Sequence, residues 1–123
     1  MQTEEITQLS REVIANLIRS REESEDAALF EGDDRRFHAR WPFPGAIELW
    51  PKDGDGRVRW FASCGNLSYS GIGMFADRAF EPGTPVELAC HFPELTVCGS
   101  AIIRHCTESP MGYIVGAEFD FGD

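Results

Sequence analysis

Three arginines within six positions, Arg35, Arg36 and Arg40 in the run DRRFHAR, stand out in a chain that is otherwise acidic. A guanidinium keeps its charge at any working pH, and its planar fork makes paired hydrogen bonds to phosphate oxygens or to the O6 and N7 edge of guanine. Further along, Asn66, Ser68 and Gly71 in NLSYSGIG supply a second polar set. Asn66 both donates and accepts along a base edge, and the Ser68 hydroxyl does the same on a smaller scale. Two residues apart on a strand, they point to the same side. Gly71 and Gly73 leave room for close backbone approach or for a backbone angle that other residues avoid. Together the two sets suit a polar ligand that carries bases and phosphates.

Each element also has a plainer explanation. Arginines at a domain entry are usually solvated charges, and Asn-x-Ser before a glycine is most often turn chemistry. GIG is weak evidence for a phosphate loop, since no lysine follows and no helix is predicted after it. Ser68 and Ser70 lack the GxSxG pattern of a nucleophile elbow. The conjunction is what carries weight.

Composition narrows the partner. The 123 residues are about one domain's length and hold Lys+Arg 11 against Asp+Glu 21, a formal charge of -10. The acidity is concentrated at the start: residues 1–34 contain three arginines and ten acids, whereas residues 35–123 carry eight bases and eleven acids. Such a balance opposes unspecific binding to nucleic acid or anionic lipid, which need a broad positive field. A small anion gripped by a few arginines fits it. The start, MQTEEITQLSREV, lacks the basic and apolar regions of a signal peptide, and no apolar stretch approaches the ~20 residues that span a bilayer. The expected location is the cytoplasm.

Cys64, Cys90, Cys98 and Cys106 show no CxxC spacing and are read as small apolar residues in a reducing compartment. A metal site from Cys90, His91, His105 and Cys106 is disfavoured because strand neighbours point to opposite faces. No metal is expected, and no Ser/His/Asp or Cys/His set appears at a spacing that would make an enzyme, so no catalytic residue is assigned.

The elements that must position the two motifs follow from periodicity. Ile6, Leu9, Val13 and Leu17, with Ile14 and Ile18 beside them, predict an amphipathic helix from Glu4 to Arg21, capped near Thr3. The acidic run EESEDAALFEGDD reads as a linker, so that residues 1–30 form a helical arm with its linker and residues 31–123 the main domain. Beyond Pro42 the period becomes two. Six strands are predicted: Phe43–Trp50, Arg57–Cys64, Leu67–Phe75, Pro85–Phe92, Thr96–His105 and Gly112–Phe121. PKDGDG, EPGT and TESPMG supply turn chemistry between them. Six short strands in so small a chain bury their faces best as a closed or nearly closed antiparallel barrel, which also removes open edges. Pro42 and Pro44 disfavour helix before them, so the arginines belong to the segment entering that barrel.

At this point the residues reach a known pattern. RRFHAR followed by NLSYSGIG resembles the RxxxR and (D/N)xSxxG signature of PilZ domains, and SAIIRH with MGYIVGAEF looks like that family's last strand pair. The resemblance covers roughly Arg35 to Phe121. It implies a six-stranded antiparallel barrel and a non-enzymatic bacterial receptor for cyclic di-GMP. By the resemblance, Arg36 and Arg40 take phosphates and guanine edges and Arg35 adds a contact, in the version compatible with a stacked pair of ligand molecules. Asn66, Ser68 and Gly71 would hold a guanine on the barrel. Many family members carry a helix after the last strand, whereas this sequence ends two residues past Phe121. The N-terminal helix is expected either to take over that packing role or to pair with a second copy through Ile6, Leu9, Val13 and Leu17.

Three functions compete. A receptor would use ligand to order the Asp33 to Arg40 segment against the barrel and signal to a downstream protein. A PilZ-like adaptor that binds no nucleotide would dock a partner through Trp41, Phe43 or Trp50. Single-stranded nucleic acid on Trp60 and Phe61 is opposed by the charge.

Overall fold

The computed structural model describes residues 6–22, 41–42, 45–54 and 57–122. The strands are β1 Ile6–Gln8, β2 Trp41–Pro42, β3 Ala46–Pro51, β4 Trp60–Leu67, β5 Gly71–Ala76, β6 Pro85–His91, β7 Thr96–Ser109 and β8 Gly112–Asp120, and the helix α1 is Arg11–Glu22. Neighbours run β7-β6-β3-β4-β5-β8, and pairing of β8 with β7 closes the ring. Every pair in this ring is antiparallel, giving the expected six-stranded barrel with an N-terminal helix.

Alternation along the strands fills the interior. Ile47 and Leu49 from β3, Met74 from β5, Val86 and Leu88 from β6, Val97 and Ile103 from β7, and Val115 from β8 are at most 1% exposed. Each such side chain removed from water contributes ~1.5–3 kcal/mol. The EPGT turn forms as expected: Thr84 donates to the Glu81 carbonyl from its N–H (3.2 Å) and its hydroxyl (2.6 Å), and Gly83 takes φ +94°, a region that costs glycine nothing.

The N-terminal arm departs from the helix expected over Glu4 to Arg21. Ile6–Gln8 form a short strand parallel to β7, pairing Ile6 with Thr96 and Gln8 with Cys98, and Leu9 N–H extends the ladder to the Cys98 carbonyl at 2.7 Å. The open edge of β7 offers these backbone groups ladder hydrogen bonds in place of a helical turn. The cap is instead Ser10, whose hydroxyl accepts from Val13 N–H at 3.1 Å, and Glu12 sits in the first turn where the helix dipole favours it. The buried set is therefore Leu9, Ile14, Leu17 and Ile18, with Val13 packed against it, while Ile6 is 68% exposed. These side chains belong to the same core as the barrel. Leu9, Val13 and Leu17 of the stripe pack on this chain's own barrel, the first of the two roles expected for it. Leu9 lies over Gly99, and a Cβ there would overlap it.

Further corrections concern strand limits: β4 starts at Trp60 and not Arg57, and β5 starts at Gly71 and not Leu67, because residues 68–70 form a turn. β4 continues past Cys64 to Leu67, and β7 runs on past His105 to Ser109, leaving only Pro110 and Met111 between Ser109 and Gly112. The limit at Cys64 coincides with a β-bulge between Cys64 and Asn66. β7 carries its bulge between Ile103 and His105, inside the predicted strand, and TESPMG, whose composition suggests a turn from Thr107, instead turns only at Pro110 and Met111.

Candidate functional site

An extra residue in one strand of an antiparallel pair reverses which of the following residues face inward. In β4, Cys64 pairs with Met74 and Asn66 with Gly73, so Gly65 is the extra residue. Strict alternation after buried Cys64 would send Asn66 into the core. The bulge turns it outward and lets Leu67, fully buried, face in. The Cys64 thiol donates across the kink to the Asn66 carbonyl at 3.8 Å. In β7, Ile103 pairs with Ala117 and His105 with Gly116, so Arg104 is the extra residue. Ile103 is buried, Arg104 and His105 are both exposed, and Cys106 turns back toward the core.

The two bulges flank one cleft of about 210 Å³, with Asn66, Ser68, Ser70 and Gly71 on one side and Arg104, His105 and Glu118 on the other. Asn66 and Ser68 both line it, although Ser68 lies past the end of β4 in a turn and not on the strand that carries Asn66. Residues 68 to 71 form a tight turn: Ser68 N–H donates to the Gly71 carbonyl (2.9 Å), and the Ser68 hydroxyl accepts from Gly71 N–H (3.2 Å). Ser70 accepts from Phe119 N–H at 2.9 Å, which ties the turn to β8. Ser68 thus performs the turn chemistry that its sequence context suggests and still lines the cleft.

The glycines have local reasons. A Cβ on Gly71 would overlap the Ala117 carbonyl oxygen, and one on Gly73 would come within 2.7 Å of Asn66 Oδ1. Among the described residues positive φ occurs only at Gly83, Gly112 and Gly122, so neither Gly71 nor Gly73 takes the unusual backbone angle offered by the sequence. The close approach is made by the barrel's own atoms.

The charged pair across the cleft was not anticipated. Arg104 Nε donates to Glu118 Oε1 at 2.6 Å, both side chains about half exposed, and Glu118 stands opposite Gly71 in the β5–β8 register. The signal in the sequence was Arg104-His105 interrupting the in-out pattern between Ile103 and Cys106.

Arg35, Arg36 and Arg40 lie outside the described residues, as do Asp33, His38 and Phe43. The backbone that follows them is described: Trp41 pairs with Leu67 and Pro42 with Asn66. Of the aromatics considered for other roles, Trp50 is half-buried beneath the Arg59 guanidinium (4.5 Å), and Trp60 packs edge-on against Phe80 at 5.2 Å. Phe61, its chain neighbour, points to solvent on the other face, so the two make no shared stacking platform.

Among the described residues no three His, Cys, Asp or Glu side chains are grouped to hold a metal, and no helix is long and apolar enough to cross a membrane. The four cysteines form no disulfide, and Cys64 and Cys90 are buried. Burial pushes the Cys64 thiol up from 9.0 to about 12, and Cys90 is pushed higher by its own burial and by neighbouring Cys64 and Cys98.

The barrel, its bulges and the NxSxxG turn define a class. Residues 34–123 match the PilZ domain, and the chain belongs to that family. Among solved structures it is similar to the inhibitor of motility MotI/DgrA of Bacillus subtilis (TM-score 0.58, 18% identity, covering 71% of this chain and 43% of that one). It is also similar to the PilZ domain of YcgR from Escherichia coli, solved with c-di-GMP (TM-score 0.54, 12% identity, 70% and 78% covered). This chain therefore spans less than half the length of MotI. No curated protein matches it.

Proposed function

We propose that this chain is a non-enzymatic receptor for cyclic di-GMP, acting in the bacterial cytoplasm through a downstream protein. The ligand would lie across the cleft, with Asn66 and Ser68 on a guanine edge, Gly71 beneath the neighbouring backbone, and Arg35, Arg36 and Arg40 on phosphates and guanine. The observation that carries this reading is the pairing of β2 with β4. Trp41 sits opposite Leu67 and Pro42 opposite Asn66, so Arg40 is one peptide bond from a strand laid beside the cleft. Cross-strand Cα atoms are ~4.5–5.5 Å apart, and an arginine side chain easily covers that distance. The cleft is smaller than the ~300–1,000 Å³ of typical small-molecule sites, which suits a ligand whose remaining surface is covered by the arginine segment. The YcgR domain, which shares the fold, was solved with this nucleotide.

Ordering residues 33–40 on the ligand would convert binding energy into a new surface next to the barrel, and that surface would be the signal. Calorimetry with cyclic di-GMP tests the reading. Wild type should bind, and Arg36→Ala or Asn66→Ala should weaken binding by about tenfold or more, the weight of charge-assisted or base-edge hydrogen bonds. Equal heats for all three proteins, or none at micromolar protein, would reject it.

A second reading, an adaptor that docks a protein without nucleotide, is favoured by one observation. Phe61, Phe75 and Ile114 are exposed on one outer face of β4, β5 and β8, beside Met111 at 96% exposure. A pull-down whose yield ignores both cyclic di-GMP and the arginine substitutions would support it.

A further inference from the structure

A carboxylate in a cleft built for an anion needs an explanation, and Glu118 provides it through its partner. Arg104 is the guanidinium lining the described cleft, brought there by the bulge that makes it the extra residue of β7. Its Nε is held by Glu118 Oε1 at 2.6 Å. Glu118 comes from β8 at the position opposite Gly71, so the pair spans the same wall that the Ser68–Gly71 turn faces. The ligand-free site therefore contains a cation already neutralised by an internal anion.

We infer that Glu118 is a built-in competitor for the ligand: an entering phosphate takes Arg104 from Glu118, and the pair sets the affinity of the site and its preference for a charged phosphodiester over a neutral base. The exchange is feasible because both side chains are about half exposed, with relative accessibilities of 53% and 51%, so neither is fixed by packing. An exposed ion pair is worth at most ~1 kcal/mol, which a phosphate offering two oxygens to the guanidinium fork exceeds. A neutral ligand has nothing with which to displace Glu118. This assigns Arg104 as a ligand-positioning cation of the barrel wall and Glu118 as the group that raises the threshold for occupancy. It rests on the receptor reading for the identity of the ligand, although the exchange itself concerns any phosphate.

The test is a double-mutant cycle read by calorimetry with cyclic di-GMP. Glu118→Gln keeps the shape, removes the charge and should tighten binding by roughly fivefold, the scale of an exposed pair. Arg104→Ala should weaken binding, and adding Glu118→Gln to Arg104→Ala should then change it by less than about twofold, because the competitor has lost its object. Unchanged or weaker binding by Glu118→Gln overturns the inference. So does a gain that persists in full without Arg104, which would make Glu118 a repelling charge and nothing more. A second measurement separates this from failure of the receptor reading: the Arg104 Nε–H resonance is followed during titration with inorganic phosphate. If cyclic di-GMP gives no heat but phosphate moves that resonance at lower concentration in Glu118→Gln, the receptor reading falls and the exchange stands. If phosphate moves it equally in both proteins, the exchange falls.

Discussion

The His105 imidazole lies against Gly116, its cross-strand partner on β8, so closely that a Cβ at position 116 would overlap Nε2 of the ring. The ring is exposed and swings on a flexible side chain, whereas Gly71 meets the backbone carbonyl of Ala117. Gly116→Ala should therefore cost less than about 1 kcal/mol and move the His105 ring signals by NMR. Gly71→Ala, which overpacks two paired strands, should cost ~1–3 kcal/mol. Urea midpoints compare them directly, and equal losses would show that the two glycines serve the same purpose.

Ile18 is fully buried where α1 meets the barrel. Ile18→Ala should destabilise the whole protein by ~2–5 kcal/mol, in a single transition reported alike by helix and barrel signals. Loss of the helix at constant barrel stability would show that the arm folds apart from the core.

Ser68→Ala removes the hydroxyl that accepts from Gly71 N–H. The turn is partly solvated, so the expected stability cost is ~1 kcal/mol by urea denaturation. Any loss of ligand affinity beyond that seen for other variants of equal stability would belong to the hydroxyl's direct contact.

The Cys64 thiol stays protonated in the folded chain up to about 12, while the unfolded chain releases its proton near 9.0. Above the lower value the unfolded state binds fewer protons, so stability is constant below it and falls as pH rises toward the higher one. Urea midpoints measured at about pH 8 and about pH 10 should drop further in wild type than in Cys64→Val, which has no proton to lose there. Parallel drops would place the alkaline loss in other groups.

The barrel was legible because alternation is a direct record of which strand face is buried: Val86, Leu88 and Cys90 on β6, and Phe92 just past its end, are all interior, as their spacing implies. The bulges were not, because a bulge is a break in that record. Cys64 and His105 each read as the end of a strand, and strict alternation through Ile103, Arg104 and His105 gave no sign that both Arg104 and His105 face outward. The N-terminal helix was read too long for a different reason. Ile6 fits a helical stripe by spacing, but a free strand edge at Thr96 to Cys98 competes for the same residues, and sequence periodicity contains no term for an edge that only the closed barrel creates. Asn66 and Ser68 could be read because the residues themselves carry the chemistry. Arg35, Arg36 and Arg40 carry it too, and their part in the site is the subject of the calorimetry above.

The parallel pairing of Ile6–Gln8 with Thr96–Cys98 also fixes an order of assembly. The first strand of the chain has no edge to join until one of the last has been synthesised and paired with β6, so its docking is a long-range, late event. Release runs the other way. Three residue pairs and the Leu9 anchor can open while every antiparallel pair of the ring stays closed, so the amide protons of β1 should exchange before those of the barrel. The strand that docks last is thus one the closed ring can release without opening itself.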